Sequence, residues 1–331
     1  MSKKLLIIGA GISGATLAHC AQKAGIETTI VDSNALVTAS KVAAGVINPL
    51  SMSRKKVIWR GEEFANEAWR FYHSIDNGFI AKERMFFECK SQKELNDWEA
   101  SNASERGFLK YKRHNLLEGF EIVNSGWIDS KKYLRTLDSI NIEQQESNID
   151  LPQDIPNLIQ KYDWVILATG FDGIGNFQRD YRTDLFKPVL GDVLTVRISN
   201  VHQFMHYEGI FVIPLAEKGL FKLGSTYIHG YSSSEPQEKN KQLLLQKAKE
   251  QNIYIIDVVK HETAIRPASF DRFPLIGLMK GQQNLYLFSG MGSRCLLYAP
   301  LMAKQLVDLI QNGTPVWKEV NVERAVSVTR A

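Results

Sequence analysis

Two kinds of apolar pattern alternate along this chain. Four short runs read as strands, "KLLIIGAG" from residue 4, "ETTIVD" from 27, "WVILATG" from 164 and "NLYLFSG" from 284; the first, third and fourth have the continuous apolar character expected of parallel strands buried on both faces. The first two flank a segment with helical character from about Ser13 to Lys23, which makes one βαβ unit. Between the third and fourth of these runs the pattern changes. "VLGDVLTVRI" (189 to 198), "GIFVIPLA" (209 to 216), "GLFKLGST" (219 to 226) and "NIYIIDVV" (252 to 259) are β-rich, and Glu217-Lys218-Gly219 joins the middle two as a hairpin.

From Gly61 to Trp98, apolar side chains such as Phe64, Ala68, Phe71 and Tyr72 recur at helical spacing and predict helices covering a lobe. "SSSEPQEKNK" (232 to 241) reads as an exposed loop entering a helix "KQLLLQKAKEQ". A last helix is predicted over "YAPLMAKQLVDLIQNG", with Pro300 in its first turn and Gly313 closing it. The pattern predicts a mixed α/β (α+β) fold: a discontinuous Rossmann-like domain over 1–75, 140–187 and 264–331, with an antiparallel-sheet domain over 76–139 and 188–263 inserted into it.

Length and composition agree with that division. The 331 residues are 44% apolar and 23% charged, the balance of a folded chain long enough for two lobes. A net charge of +4 is too small to argue for DNA as a partner. Cys20, Cys89 and Cys295 form no CxxC pair and no zinc-ligand spacing, which points to a reducing, cytoplasmic setting and to no metal. The basic and apolar start, Lys3-Lys4 before "LLIIGAGISGATLAHCA", mimics a secretory signal, but three glycines at fixed offsets have a better explanation. No run reaches the ~20 apolar residues of a membrane span.

"GAGISG" sets Gly9, Gly11 and Gly14 in the GxGxxG pattern after a strand and at the opening of a helix. One glycine makes the turn, one admits a pyrophosphate and one lets helix and strand pack closely, while the helix N-terminus presents unpaired N–H groups to the phosphates through Ile12 and Ser13. Asp32, 18 residues after Gly14 and followed by Ser33, can accept ribose hydroxyls, and an acid there argues against a 2′-phosphate. The unit by itself leaves NAD and FAD open. In "TASKVAAGVINPL" the residues Ala43, Ala44, Gly45 and Val46 would let backbone lie flat against a ring system. Thr169 and Gly170 close the third strand, and "SGMGSR" brings Gly290, Met291, Gly292, Ser293 and Arg294 to the start of the final helix. There, backbone N–H groups can hold negative charge, although Arg294 could instead pair with a surface carboxylate.

In this order "GAGISG", "AAGVINP", "LATG", "PVLGD", "IRPASFDRFPLIG" and "SGMGSRCLLYAPLMA" resemble the family of FAD-dependent amine oxidases that includes D-amino-acid oxidase, glycine oxidase and sarcosine oxidase. "AGVINPL", "FANEAWRFY" and "MGSRCLLYAPLMA" look most like the oxidoreductase half of bifunctional tRNA wobble-uridine modifying enzymes. The resemblance implies FAD as cofactor and a carboxylate-bearing amine as substrate, free or carried on tRNA. It implies that Arg266 clamps the substrate carboxylate, for which a planar guanidinium is suited; the competing reading is a structural ion pair with Glu262 or Asp271. Oxidation of the C–N bond to an imine by hydride transfer to flavin, with O2 reduced to H2O2, would follow. A catalytically silent FAD-binding protein is a further alternative.

Departures from the family pattern are specific. Phe211 stands where a tyrosine would contact the carboxylate, with Tyr207 and Tyr227 as nearby substitutes, and Met291 stands where the family has histidine. Phe288 rather than cysteine precedes "SGMG", so the resemblance implies non-covalent FAD. His206, His229 and His261 read as structural histidines. "SRKK" (53 to 56) and "KYKRH" (110 to 114) could contact RNA or form a solvated face.

Overall fold

The computed structural model describes residues 3–81, 84–114, 117–171, 185–201, 203–207, 209–231 and 233–324, the side chains of 114, 152 and 207 excepted. Two compact units form, one from 1–41, 130–189 and 265–331, the other from 42–129 and 190–264. These bounds differ from the expected ones chiefly in that 42–75 go with the second unit and 130–139 with the first; 188–189 and 264 also change sides. The cause is pairing between distant segments. β3 (Val46–Ile47) pairs with β10 (Gly126–Ile128), and Tyr133 packs beneath the first helix through its hydroxyl.

In the first unit, β1 (Lys4–Ile8) lies between β2 (Glu27–Asp32) and β12 (Trp164–Leu167), all parallel. The sheet runs β11 (Glu143–Glu146), β2, β1, β12, β19 (Leu285–Ser289), β18 (Leu275–Leu278), with only β18 antiparallel to its neighbour. The buried runs form because both faces are covered. α1 (Ile12–Lys23) packs against α9 (Cys295–Asn312). α9 starts three residues before the expected helix, so Pro300 lies inside it. Leu296 and Leu297 in that extra turn, and Tyr298 and Ala299 after it, are buried, and their packing outweighs the hydrogen bond a proline removes.

Within this unit a polar chain ties α6 (Ser130–Arg135) to the start of α1. The Thr16 hydroxyl donates to Ile12 O at 2.7 Å and therefore accepts from the Tyr133 hydroxyl at 2.8 Å. The Thr136 hydroxyl donates to Tyr133 O at 2.7 Å, so His19 Nε2 is the donor in its 2.8 Å contact with Thr136.

The second unit is built on an eight-stranded sheet: β17 (Ile255–Arg266), β13 (Val189–Ile198), β16 (Leu220–Gly224), β15 (Ile210–Pro214), β14 (Met205–Tyr207), β7 (Phe86–Glu88), β9 (Leu117–Ile122) and β8 (Leu109–His114). β13 and the β15–β16 hairpin form as the alternation predicts. The expected strand at 252 to 259 starts later and runs to Arg266. The all-helical reading of 61 to 98 needs correction: α3 (Gly61–His73) and α4 (Gln92–Glu99) are separated by β6 (Ile80–Ala81) and β7. β7 owes its form to pairing with β9 and β14, partners that local spacing cannot reveal. A small sheet β3-β10-β6 and the pair β4 (Leu50–Ser51), β5 (Lys56–Val57) complete the unit. α8 (Glu238–Glu250) lies against one sheet face, with Leu244 and Ala248 joining Leu194, Val196, Val212 and Leu223 in one apolar cluster.

Burial pushes both His19 and His206 down to about 4, with Lys23 adding to the effect at His19. The unfolded chain then binds protons near 6.5 that the folded chain refuses until about 4, so their contribution is intact above pH 6.5 and lost as pH falls toward 4. The expected loss is about 3 kcal/mol per histidine. Urea unfolding of the wild type between pH 7 and 4.5 should show it, and His19→Gln should flatten the slope by about one proton.

Candidate active site

The glycine-rich turn has the shape its spacing predicts. Gly9 has φ +106°, and a Cβ there would stand 2.5 Å from Ala168 O and 3.1 Å from the Cα of Thr169. A Cβ on Gly14 would stand 1.8 Å from Gly9 O, so helix and turn meet backbone to backbone. A Cβ on Gly11 would stand 2.8 Å from the Ser40 hydroxyl, and that hydroxyl accepts the Ile12 N–H at 2.9 Å. Ser40 is a residue that sequence reasoning passed over. Its signal was its place in "TASK", one residue before Lys41, whose Nζ donates to Asn34 Oδ1 and Ala35 O and closes the loop beyond β2.

Asp32 ends β2 with one oxygen accepting Ala10 N–H at 2.6 Å and the other Asn34 N–H at 2.7 Å. Each oxygen keeps a lone pair for a hydroxyl. Ser33 is exposed beside it, and Gly170 takes φ +63° where the chain leaves β12. The side chain of Ser13 turns to Cys295 Sγ at 3.2 Å, which leaves its backbone, in the first turn where N–H groups lack intrahelical acceptors, as its means of touching a phosphate. This cradle, the open helix end and the half-used carboxylate fit the adenosine diphosphate part of a dinucleotide.

In the same unit, the segment after β17 meets the one before α9. Arg266 ends β17, and Ala268 N–H donates to Arg266 O at 2.9 Å across Pro267, a γ-turn whose central φ proline supplies. Gly292 N–H reaches Pro267 O at 3.3 Å, and Ala268 bridges Met291. The Arg266 turn is thus fastened to "SGMGSR". Gly290 and Gly292 take φ +78° and +54°. Met291 is buried and its sulfur receives the Cys295 thiol at 3.9 Å, so its side chain packs against α9.

Two of the three N–H groups expected to hold negative charge have acceptors within the chain, Gly292 at Pro267 O and Arg294 at Met291 O. Ser293 is exposed. Arg294 hydrogen-bonds the hydroxyl of Tyr298, one helical turn on, whose titration burial otherwise pushes up. Asp271, one of the two carboxylates considered for Arg266, is held by a different arginine. Arg324 Nε and Nη2 meet its two oxygens at 3.0 Å each, while Glu262 receives Lys260 Nζ at 2.6 Å.

The second unit, taken by itself, holds the other residues singled out from sequence. Phe211 on β15 lies opposite His206 on β14 and Gly224 on β16, and a Cβ on Gly224 would come within 3.0 Å of the Phe211 ring. Tyr207 pairs with Ile210 by register, and its side chain is outside the described residues. Tyr227 is about half exposed. His206, read from sequence as structural, holds the register position beside Phe211. Lys222, opposite Ile213 on that same face, donates from Nζ to Val42 O and Ala43 O at 3.0 Å each. It fixes the segment of small residues expected at the flavin and was not singled out from sequence, where "GLFKLG" shows only alternation. Gly45 has φ +83° and faces Ile128 O at 1.8 Å from its Cβ position, so strand packing explains its glycine. Ala44 and Val46 pack at the margin of the Phe87, Trp98 and Phe204 cluster. Lys222→Met should cost about 2 kcal/mol in urea unfolding, since a charge-assisted donor is removed from two carbonyls.

Three of the six cations in the basic stretches are bound to carboxylates. Lys55 meets Asp97 at 3.0 Å, Arg113 meets Glu118 at 3.2 Å, and Lys112 pairs with Glu121, which also receives Arg84. Among the described residues no helix is long and apolar enough to cross a membrane, and no group of three or more His, Cys, Asp or Glu is placed to hold a metal ion.

Over 77 residues the chain is 32% identical to the tRNA 5-methylaminomethyl-2-thiouridine biosynthesis bifunctional protein MnmC of Thiobacillus denitrificans, a stretch that makes up 23% of this chain and only 12% of that protein. Iminodiacetate oxidase from a Chelativorans species superposes with a TM-score of 0.74 at 18% identity, over 97% of this chain and 98% of its own. Glycine oxidase from Bacillus cereus gives 0.70 at 16% identity, over 95% and 96%. These two likenesses are of fold. A match to the FAD dependent oxidoreductase (DAO) family begins at the first strand and ends three residues short of the end of α9, covering residues 4–309. A match of that extent, on a chain whose turn, helix end and Asp32 suit the cofactor, makes this protein a member of the FAD dependent oxidoreductase (DAO) family.

Proposed function

We propose that this enzyme oxidises the C–N bond of a small amino acid or N-substituted glycine, with Arg266 gripping the substrate carboxylate. The observation that carries the reading is the match to the FAD dependent oxidoreductase family over residues 4–309, a stretch in which Pro267 fixes the turn that follows Arg266. A guanidinium fork would hold the substrate acid at two points and so set which hydrogen of the neighbouring carbon faces the ring. FAD, when bound, supplies hydride acceptance and the return of an electron pair to dioxygen. Gly9, Gly11, Gly14 and Asp32 would hold its nucleotide end, without a covalent link to the protein. If the amine arrives neutral, no side chain has to remove a proton before transfer. One N-substituted glycine, one O2 and one water would give one amine, one glyoxylate and one H2O2.

A second reading attaches the glycine-like group to a tRNA wobble uridine. The 77-residue similarity favours it, and the pairing of Lys55, Lys112 and Arg113 with carboxylates weighs against it. Anaerobic mixing of the holoenzyme with glycine, sarcosine, proline, iminodiacetate and carboxymethylaminomethyl-uridine tRNA separates the two by which of them bleaches the flavin absorbance. Bleaching by none would leave a silent FAD-binding protein.

A further inference from the structure

A carboxylate interrupts the apolar interior of the second unit. Asp192 on β13 is 0% exposed. Its Oδ2 accepts the Thr226 hydroxyl at 2.8 Å and Asn240 Nδ2 at 2.9 Å, and its Oδ1 accepts His261 Nε2 at 2.8 Å. The Thr226 oxygen in turn accepts the Asp192 N–H at 2.8 Å. Four segments therefore meet on one side chain: β13, the segment following β16, α8 and β17. Clusters of this kind can often be replaced by apolar residues with no loss of stability, so stability is a poor account of it.

Its geometry has a more specific consequence. β17 stands at the end of the sheet order, and β13 is its only neighbour among the described strands. Early in β17, Ile256 and Val259 are 64% and 51% exposed and Ile255 and Val258 are only partly buried against the apolar cluster, so burial by itself fixes the register weakly. Further along, two side chains of one face clasp β13: His261 at Asp192, and Thr263, whose hydroxyl donates to Gly191 O at 3.4 Å. Strand alternation sends Arg266, at the end of β17, to the opposite face. A slip of one residue would exchange those faces.

We infer that Asp192 and His261 are positioning residues that lock the register of β17 and thereby aim Arg266. The inference rests on the reading of Arg266 as the carboxylate grip. The test compares His261→Gln, whose amide can still donate to Asp192, with His261→Asn, one carbon shorter, and His261→Ala, all as holoenzymes. Three quantities are measured: affinity for acetate as the carboxylate probe, from the flavin spectrum; hydrogen exchange of amides 262 to 266; and FAD content.

The Asn and Ala variants should keep full FAD content, bind acetate at least tenfold more weakly and exchange the β17 amides at least tenfold faster, with β15 and β16 unchanged. The Gln variant should stay within threefold of wild type. On a reactive substrate the loss should appear mainly in KM. Unchanged acetate affinity and exchange in the Asn variant, or a Gln variant as impaired as Asn, would overturn the inference, and this comparison stands even if the Ala variant does not fold. Arg266→Ala in the same assay separates the two ideas: if it binds acetate as wild type does, the carboxylate grip fails, while the exchange data still decide the register.

Discussion

Arg266→Ala is expected to leave FAD bound and to lower kcat/KM by more than a hundredfold, about 3 kcal/mol or more, because a charge-assisted, two-point contact with the substrate acid disappears. The fall should be seen in the rate of flavin reduction measured anaerobically against substrate concentration, with the flavin spectrum of the resting enzyme unchanged. Arg266→Lys should recover only part of it, since an ammonium presents a point charge in place of a fork. Arg324→Ala acts differently. It frees Asp271 from the partner that holds both its oxygens, and a carboxylate released five residues from Arg266 becomes a competitor for that guanidinium, so this variant should also lose substrate affinity. Normal turnover in Arg266→Ala would remove the substrate model.

Gly14→Ala should be the most damaging single methyl in the nucleotide cradle. The added carbon would stand 1.8 Å from Gly9 O and 2.9 Å from Gly9 C, both backbone atoms of the turn itself, so helix and turn must part. Overpacking of this kind costs about 3 kcal/mol of stability or more, and the displaced turn loses its approach to the pyrophosphate. The purified variant should carry little or no FAD and melt well below wild type. Gly11→Ala meets only the Ser40 hydroxyl, at 2.8 Å, a side chain that can rotate aside at the expense of its bond to the Ile12 N–H. A tenfold rather than complete loss of FAD affinity is expected there. Equal FAD content in Gly14→Ala and wild type, measured from the visible spectrum after gel filtration, would refute the packing argument.

Much of the cofactor unit was legible because its signals are local. The short strand-like runs give strands β1, β2, β12 and β19, and the glycine spacing gives the turn, since chain geometry over six residues dictates both. β7 illustrates the limit. Its three residues sit in a stretch with helical spacing, and only β9 and β14 on either side make them a strand. Ser40 and Lys222 are of the same kind: nothing in their neighbourhood marks them, and their roles arise from an N–H and two carbonyls contributed by remote segments. Arg324 escaped notice for the same reason, lying 53 residues from the aspartate it forks.

By itself the sequence determined the class of fold and the tight glycine turn between β1 and α1, because each follows from backbone sterics or periodicity. Tertiary structure alone decided which carboxylate each arginine meets, which face of a strand a side chain occupies, and where the two units divide. Those outcomes depend on registers and partners dozens of residues apart, and a one-residue change in register reverses them while leaving every local pattern intact.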